Sequence, residues 1–270
     1  MIIKETYEWL REQYSDVIND LFIADARLGV LLSAVKLSDN SIGVSSTFAN
    51  AESSCIRKNR RYDAFSPTKI NGQTVIDLFE NAPVNNVTDT LKMAVLNAIS
   101  SRILYNGNYK ILEDTDPIDL IDYTSAKNVT IVGAFNSYIQ KISETKHNLK
   151  VLEFEESSLI DEHKKFFVPA HDYVNVVPQS DIVIITGLTL VNNTIDGLLS
   201  AVSPGSQVII TGPSSSLVPD ILFKYNVSII GASRITNPDL LFTLVSEAGT
   251  GFHLFRYCAK KICVLNETAK

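Results

Sequence analysis

The sequence predicts an α/β protein with a smaller α+β domain at residues 1–110 and a doubly wound, mostly parallel sheet at residues 125–270. After residue 125, short runs rich in Val and Ile alternate with segments long enough for helices, as at 129–132 and 207–211. Their apolarity is continuous, which indicates strands buried on both faces of a sheet. Before residue 110 the order is helix, hairpin and then helices. The pattern after residue 125 is that of a Rossmann-like domain. Residues 111–124 are expected to connect the two domains.

The first domain is expected to begin with a helix and a β-hairpin. Residues 3–18 carry apolar side chains at helical spacing, namely Ile3, Tyr7, Leu10, Tyr14 and Val17. Two β-like runs follow, 27–37 and 41–48, on either side of Ser38-Asp39-Asn40, a sequence typical of turns. The prediction for this segment is therefore one helix and one two-stranded hairpin.

Two helices complete the first domain in the prediction. The first covers about 74–81. The second covers about 88–105, with Thr88 as its N-cap and Asp89 in its first turn. Its apolar face is expected to contain Leu91, Val95, Ala98 and Ile99. The sequence Asn106-Gly107-Asn108 should end it.

Six strands are predicted in the second domain, all rich in Val and Ile. They cover 129–132, 150–154, 182–185, 207–211, 228–230 and 262–265. The segments between them have lengths that suit βα units. Asn237-Pro238-Asp239 is expected to begin a helix, because it supplies an N-cap, a Pro at the first helical position and an acid in the first turn.

Composition argues against several classes of protein. The 270 residues include 24 basic and 30 acidic side chains, and the net charge of −6 argues against a general nucleic-acid binder. No run approaches the ~18 apolar residues of a membrane span, and the N-terminal residues mix acids and bases, unlike a signal or transit peptide. Three cysteines, Cys55, Cys258 and Cys263, fit a reducing compartment. We expect a cytoplasmic protein that has neither nucleic acid nor membrane as a partner.

Three strand ends of the predicted sheet carry small and polar residues, at 133–137 (GAFNS), 186–189 (TGLT) and 211–216 (TGPSSS). Ligands of open parallel sheets bind beyond the carboxyl ends of the strands, where loops lead into helices. Hydroxyls, amides and free N–H groups in such a place suit an anion. The same residues equally suit a structural role, with Asn192 or Thr189 as a helix cap and the glycines as turns.

A nucleotide-type cofactor is the alternative ligand at the first of these loops. Gly133 and Glu153 have the spacing of the first glycine and the ribose-binding acid in the dinucleotide fingerprint. Phe135 and Tyr138 stand where that fingerprint has its other glycines, which let the backbone approach a pyrophosphate. No nucleophile–base pair is evident, so the sequence leaves open whether the protein is an enzyme.

Two further features are candidates for a role in binding. The basic residues Arg57, Lys58, Arg60 and Arg61 form either a solvated loop or an anion clamp. His253 follows Gly249-Thr250-Gly251 and is a candidate metal ligand or acid–base group. Cys263 lies in an apolar run and is expected to be a buried, inert thiol.

The second domain resembles a known family in three segments. These are TGLTLVNNTIDGLL (186–199), VIITGPSSSLVPDILF (208–223) and SEAGTGFHLFRYCAKK (246–261). They are similar to the domain-of-unknown-function family described as "Putative heavy-metal chelation", and residues 1–105 are similar to its companion N-terminal domain. The first two segments agree with the family pattern, whereas Lys260 stands where the family has an acid.

The resemblance implies a ligand site in a cleft between two domains. The N-terminal domain would be like the small N-terminal domain of enolase, and the C-terminal domain would be Rossmann-like. By position, the resemblance implies these cleft residues: Gly133, Thr186, Gly187, Thr189, Asn192, Thr194, Gly212, Pro213 and Ser214. Enolase chemistry is not implied, because function follows the site and not the fold.

The leading hypothesis is that the protein binds a small anionic ligand or a metal chelate in the interdomain cleft. Few Cys and His residues are available, so a transition-metal ion would be held by carboxylates, by a bound chelator or by His253. The alternatives are an enzyme that uses a nucleotide-type cofactor and a non-catalytic assembly protein. A homodimer is compatible with the sequence, but no residue indicates one.

Overall fold

The computed structural model describes residues 2–48 and 64–267, which form two β-sheets with helices packed around them. The strands are β1 (Ile23–Leu28), β2 (Leu32–Leu37), β3 (Ile42–Ser46), β4 (Lys110–Glu113), β5 (Asn128–Val132), β6 (Asn148–Glu153), β7 (Phe167–Pro169), β8 (Ile182–Thr186), β9 (Gln207–Thr211), β10 (Ile229–Ile235) and β11 (Ala259–Leu265). The helices are α1 (Ile2–Gln13), α2 (Ser15–Ile18), α3 (Val75–Glu80), α4 (Asn86–Asn106), α5 (Asn136–Ser143), α6 (Tyr173–Val176), α7 (Leu188–Val191), α8 (Ile195–Ala201), α9 (Asp220–Lys224), α10 (Pro238–Ser246) and α11 (Gly251–Tyr257). None of the helices in these two ranges is both long enough and apolar enough to cross a membrane.

The large sheet has the strand order β4-β11-β10-β9-β8-β5-β6-β7. From β10 to β7 all neighbouring strands are parallel, whereas β11 and β4 add antiparallel pairs at one end. Counted from β5, the parallel strands have the order 3-2-1-4-5-6 that is typical of doubly wound sheets. The predicted fold class, a mostly parallel sheet flanked by helices, is confirmed. The carboxyl ends of β5, β8, β9 and β10 therefore lie at one edge of the sheet.

The strand predictions fail mainly at the two ends of the large sheet. The sequence gives no prediction of β7, which has three residues, or of β4. β4 pairs with β11 and overlaps the segment expected to connect the two domains. β10 continues to Ile235, five residues beyond the predicted end, and β11 begins at Ala259. These segments interrupt their apolar residues with Lys, Ser and Arg, so they lack the continuous Val and Ile runs of the central strands.

The small sheet contains three antiparallel strands in the order β1-β2-β3, one more than the predicted hairpin. The run 27–37, expected to be a single strand, contains the end of β1, a turn and β2. Across that turn the Gly29 N–H donates to the Leu32 carbonyl oxygen (3.1 Å). The sequence does not predict β1 as a strand, because the segment ADA (24–26) contributes no large apolar side chain.

Two helix predictions also need correction. The helix expected at 3–18 is divided into α1 and α2, and the division buries Ile18 while it leaves Val17 36% exposed. Thr88 is not the N-cap of α4. Asn85 is the cap, and its Oδ1 accepts from the Thr88 N–H (3.1 Å) while the Thr88 hydroxyl accepts from the Asn85 N–H (3.2 Å). The two residues form a capping box in which Thr88 is the third helical residue.

Helix α4 lies between the two sheets and is buried on almost every side. One face packs on β3 and β2, and the opposite side meets α7 and the loop after β9. At Gly43 of β3 the approach is so close that a Cβ atom would lie 2.0 Å from the Ala94 carbonyl oxygen of α4. One apolar core therefore extends from the small sheet through α4 to one face of the large sheet.

The C-terminal helices pack on the other face of the small sheet. Leu241, Leu244 and Val245 of α10 form a cluster with Leu32 and Ala34 of β2. Successive side chains of a strand point to opposite faces, so these two residues face away from α4. The small sheet is thus enclosed between α4 and the α10–α11 pair. The first part of the chain, before β4, and the second part, from β4 onward, therefore hold each other in place.

Asp116 joins the segment between β4 and β5 to helix α5 and to strand β11 of the large sheet. Its carboxylate accepts hydrogen bonds from the Tyr138 hydroxyl of α5 and from the Lys261 ammonium of β11. Burial alone would raise the pKa of Asp116, but the hydrogen bonds from Lys261 and Tyr138 outweigh it and hold the pKa below its ordinary value. The charged form of Asp116 therefore stabilises the fold.

We expect Asp116→Asn to lower the free energy of unfolding at pH 7 by about 1–3 kcal/mol, because a charge-assisted contact is lost in a partly buried place. The pKa of Asp116 in the folded protein lies below that of the unfolded chain, which is about 3.9. Its contribution is therefore complete above that value and is lost as the pH falls. Urea unfolding of the unmodified protein and of Asp116→Asn should give free energies of unfolding that differ at neutral pH. The two values should converge below about pH 4, as Asp116 becomes protonated.

Asp119→Asn is the matched control. Asp119 pairs with Lys141 at the surface, where both side chains are more than half exposed. Its loss should change the free energy of unfolding by about 0.5 kcal/mol or less. Equal losses in the two variants would contradict the role assigned to Asp116.

Candidate functional site

The three predicted strand ends meet at the carboxyl edge of the large sheet. A Cβ atom at Gly133 would lie 3.0 Å from the Thr186 side chain, and the Gly187 N–H donates to the Thr211 carbonyl oxygen (2.8 Å). Gly133 has a φ of +107°, a backbone conformation that favours glycine. The strand order reverses between β5 and β8, so Gly133 and Thr186 flank the switch point where doubly wound sheets bind ligands.

The polar groups of the second strand end are hydrogen-bonded to one another. The Thr189 hydroxyl donates to the Thr186 carbonyl oxygen (2.7 Å), and the Thr186 hydroxyl accepts from the Leu188 N–H (3.3 Å). Asn192 Oδ1 accepts from the N–H and the hydroxyl of Thr194 (3.2 and 2.7 Å). Neither Thr189 nor Asn192 caps α8, which follows Thr194 without a side-chain cap. These contacts fix the shape of the loop.

Gly212 and Pro213 lead from β9 into the third strand end. Gly212 has a φ of +129°, and its carbonyl oxygen accepts from both the N–H and the hydroxyl of Ser215 (3.1 and 2.7 Å). Pro213 lies near the start of α11, with its Cγ 3.7 Å from the position of a Cβ atom at Gly251. This strand end is therefore a closed turn that contacts both α11 and β10.

Ser214 lies in the contact between the two parts of the chain. Its Oγ accepts from the Ser46 N–H of β3 (2.8 Å), and its carbonyl oxygen accepts from the Asn97 amide of α4 (3.1 Å). The same amide donates to the Val44 carbonyl oxygen (2.8 Å). Ser214 and Asn97 are both almost fully buried. Asn97 thus binds α4 to the small sheet and to the edge of the large sheet at once.

The groups predicted to bind a nucleotide make other contacts. Glu153 Oε1 accepts from the N–H of the next residue, Phe154 (2.7 Å). Phe135 and Tyr138 stack on each other with their ring centroids 5.4 Å apart. Aromatic rings therefore occupy the turn where the dinucleotide fingerprint needs bare backbone, and these contacts do not favour a nucleotide there.

The described residues do not fit a directly bound metal ion. In the ranges 2–48 and 64–267, no three His, Cys, Asp or Glu side chains come together in a way that could hold one. His253 is the third residue of α11, and its Nδ1 faces the N–H and the hydroxyl of Thr250 (3.1 and 2.9 Å) in a capping box. Burial raises the pKa of the Cys263 thiol to about 12. Four basic residues and one cysteine that the sequence singles out lie outside the described residues: Arg57, Lys58, Arg60, Arg61 and Cys55.

A cleft of about 360 Å³ lies between the two parts of the chain. The turn between β2 and β3 and the last two turns of α4 form one side, and β10, β11 and the start of α10 form the other. The lining residues are Asp39, Asn40, Ser41, Ile42, Ser101, Arg102, Leu104, Tyr105, Asn106, Ser216, Ser233, Arg234, Ile235, Pro238 and Ile262. Ser216 belongs to the predicted third strand end. Of the described lining residues, none is among the nine that the family resemblance implies.

Arg102 enters the cleft from the first part of the chain. Its Nη1 pairs with Asp39 Oδ2 (2.7 Å), and its side chain is about half exposed. The other oxygen of Asp39 accepts from the N–H and the hydroxyl of Ser41 (3.0 and 2.6 Å). Burial alone would raise the pKa of Asp39, but the bonds from Ser41 and Arg102 outweigh it and keep the pKa below its ordinary value. Asp39 is therefore a carboxylate with both oxygens occupied, and it positions Arg102.

Arg234 enters the cleft from the second part, at the carboxyl end of β10. Its Nη2 pairs with Glu113 Oε1 (2.8 Å), and its guanidinium carbon lies 5.5 Å from the ring centroid of Tyr105. Its Nε is buried and has no hydrogen-bond partner among the described residues, and the same holds for the Oγ of Ser233. Buried polar groups in this state destabilise a protein, and such exceptions call for an explanation. The Nε is enclosed by protein atoms, so a ligand can reach only the exposed outer part of the Arg234 side chain.

Sequence reasoning missed both arginines. Arg234 follows from the rule that ligands bind at the carboxyl ends of strands, provided that β10 is extended through GASRI (231–235). Arg102 gives no comparable signal, because its place in the cleft depends on how α4 packs over β10.

Together the fold and the cleft define a class of α/β protein in which a small antiparallel sheet and a doubly wound sheet enclose a cleft with polar and apolar side chains. A family model described as "Putative heavy-metal chelation" (DUF364) matches residues 116–264. A second model with the same description (DUF4213) matches residues 11–100. The first match covers more than half of the chain, so the protein belongs to the DUF364 family.

Relatives of similar length support the family and the fold. An uncharacterized protein of Methanocaldococcus jannaschii is 24% identical over 271 residues, which cover 97% of this chain and 96% of the relative. A DUF364 protein of unknown function from Pyrococcus horikoshii has a crystal structure with a TM-score of 0.76 at 19% identity, covering 98% of this chain and 100% of that one. Another, from Desulfitobacterium hafniense, has a TM-score of 0.68 at 17% identity, covering 96% and 99%. At these identities the two structures establish the fold alone.

We expect Asn97→Ala to lower the free energy of unfolding by about 1–3 kcal/mol, because the buried carbonyl groups of Val44 and Ser214 lose their shared donor. Asn97→Asp should cost at least as much, since a carboxylate has no N–H to donate. Chemical denaturation at neutral pH measures both effects.

Asn148→Ala serves as the comparison for that experiment. The Asn148 amide contacts Asn128 in an exposed position, so its loss should change the stability by about 0.5 kcal/mol or less. If Asn97→Ala had no larger effect than this, the contact through Asn97 would not hold the two parts together.

Proposed function

We propose that this protein binds a small anionic ligand, or the organic part of a metal chelate, in the cleft between its two parts. The observation that carries the proposal is a pair of guanidinium groups, Arg102 and Arg234, that line one cleft of about 360 Å³ from its two sides. Arginine is the side chain best suited to carboxylate and phosphate groups. The Arg234 side chain is 28% exposed, so its outer part is accessible to an acceptor at this place.

The size and lining of the cleft favour a small organic anion. Pockets for small molecules typically measure about 300–1,000 Å³, so this cleft lies at the lower end of that range. The negative charge of Asp39 is offset by its ion pair with Arg102. Asn40 and Asn106 add neutral polar groups beside the two arginines.

The family description adds a metal to the proposal. Since the described side chains do not fit a directly bound ion, we propose that the metal enters as a complex whose anionic chelator faces Arg102 and Arg234. Recognition would then depend on the chelator and its charge, and the protein itself would contribute hydrogen bonds instead of metal ligands.

The strand-end residues support the cleft in this proposal. Ser214 fastens the third strand end to α4, and Ser216, two residues further on, lines the cleft and accepts from the Ser233 N–H (2.9 Å). The alternative place for the anion is the switch point between Gly133 and Thr186. The two places are separable by mutation, because none of the nine strand-end residues lines the cleft among the described residues.

The test measures the binding of three probes, inorganic phosphate, citrate and ferric citrate, by thermal unfolding and by isothermal titration calorimetry. A probe present at 100 times its dissociation constant should stabilise the protein by about 2.7 kcal/mol. Arg102→Gln and Arg234→Gln should each weaken binding about tenfold or more, because each removes a charge-assisted hydrogen bond of about 1.5–3 kcal/mol.

Arg11→Gln is the control, since Arg11 also pairs with a carboxylate, Glu80, at similar exposure but does not line the cleft. It should bind the probes as the unmodified protein does. The combined variant Thr189→Ala, Asn192→Ala addresses the switch point and leaves the contact of Ser214 with β3 intact. If that variant lost binding while Arg234→Gln retained it, the anion would bind at the switch point and not in the cleft. If no probe bound at all, the proposal would be contradicted.

A further inference from the structure

The cleft is lined by apolar side chains as well as by the two arginines. Ile42, Leu104, Ile235 and Ile262 line it together with Pro238. Leu104 and Ile262 are buried in the core, so Ile42, Ile235 and Pro238 are the apolar residues that a ligand can cover. An inorganic anion bound between the arginines would leave these three residues in contact with water. An anion with an apolar body would bury them, and burial of apolar surface favours binding. The lining therefore selects an organic anion over an inorganic one.

Tyr105 gives the cleft a flat and accessible aromatic surface. Its side chain is 75% exposed, although it lies in the last turn of α4 beside the buried core. The Arg234 guanidinium lies over its ring, 5.5 Å from the centroid. Aromatic rings stack favourably on other rings and on the planar guanidinium group. A flat ligand ring would stack on the exposed part of this surface, whereas a saturated ligand would contact it less well.

We infer that the anion bound in the cleft is an aromatic carboxylate of one or two rings. Its carboxylate would accept hydrogen bonds from Arg234 and Arg102, and its ring would lie against Tyr105 and the isoleucine side chains. The cleft volume of about 360 Å³ limits the ligand to this size. This inference rests on the proposed function, since it names the class of anion that the same site takes.

The test compares benzoate with cyclohexanecarboxylate, which has the same charge and a similar size but no aromatic ring. Isothermal titration calorimetry and ligand-observed NMR measure the two dissociation constants. Benzoate should bind about three- to tenfold more tightly, the range that aromatic pairing gives beyond simple burial. A two-ring probe, 2-naphthoate, should also bind.

Variants assign the preference to particular side chains. Tyr105→Leu should remove the preference for benzoate and retain binding of both probes, because Leu keeps an apolar wall but not a flat one. Arg234→Gln should weaken both probes about tenfold or more. Tyr257→Leu is the control, since Tyr257 is an exposed aromatic residue of α11 that does not line the cleft. Circular dichroism and thermal unfolding establish that each variant is folded.

The outcomes separate this inference from the proposed function. Equal affinity for the two probes, or a preference for benzoate that persists in Tyr105→Leu, overturns the aromatic inference. Binding of citrate or phosphate that depends on Arg234, with no binding of benzoate, also overturns it but leaves the proposed function intact. If none of these anions binds in a way that depends on Arg234, both fail.

Discussion

The packing of α4 between the two sheets is the constraint on which the rest of the structure depends. The helix touches β3 so closely that only glycine fits at residue 43, and Asn97 hydrogen-bonds to backbone on both sides. Together these contacts fix the direction of α4 and the place where it ends. Its last turns hold Arg102 and Tyr105 beside the carboxyl end of β10, and it stops at Asn106. The cleft is the space that remains between that helix end and the large sheet.

The centre of the fold could be predicted from the sequence, and its margins could not. β5, β8 and β9 are buried on both faces, so their Val and Ile runs report the sheet directly. β4 and β7 lie at the two edges of the same sheet, where a strand needs fewer apolar residues and loses that signal. β1 contributes no large apolar side chain at 24–26, which explains why the sequence predicts the small sheet with two strands instead of three.

The candidate site shows the same division. A rule about parallel sheets points to Gly133, Thr186 and the residues after β9, and the structure does bring them to one edge. The cleft beside that edge takes its charge from Arg102 and Arg234, which are about 130 residues apart in the chain. Sequence patterns describe one element at a time, whereas this pair arises from the packing of one element on another. His253 illustrates the converse case, because a local pattern that suited a metal ligand corresponds to a capping box.

β4 hydrogen-bonds to the outer edge of β11 from Ile262 to Leu265, although it precedes β5, the next strand of the large sheet in the chain, by more than a dozen residues. A fragment that begins at residue 125 would therefore present this edge without its partner. Unpaired edges of that kind recruit strands from other molecules, so such a fragment is prone to aggregate. A gene fusion that exchanges one half of this architecture therefore has to include residues 110–113 together with the later half.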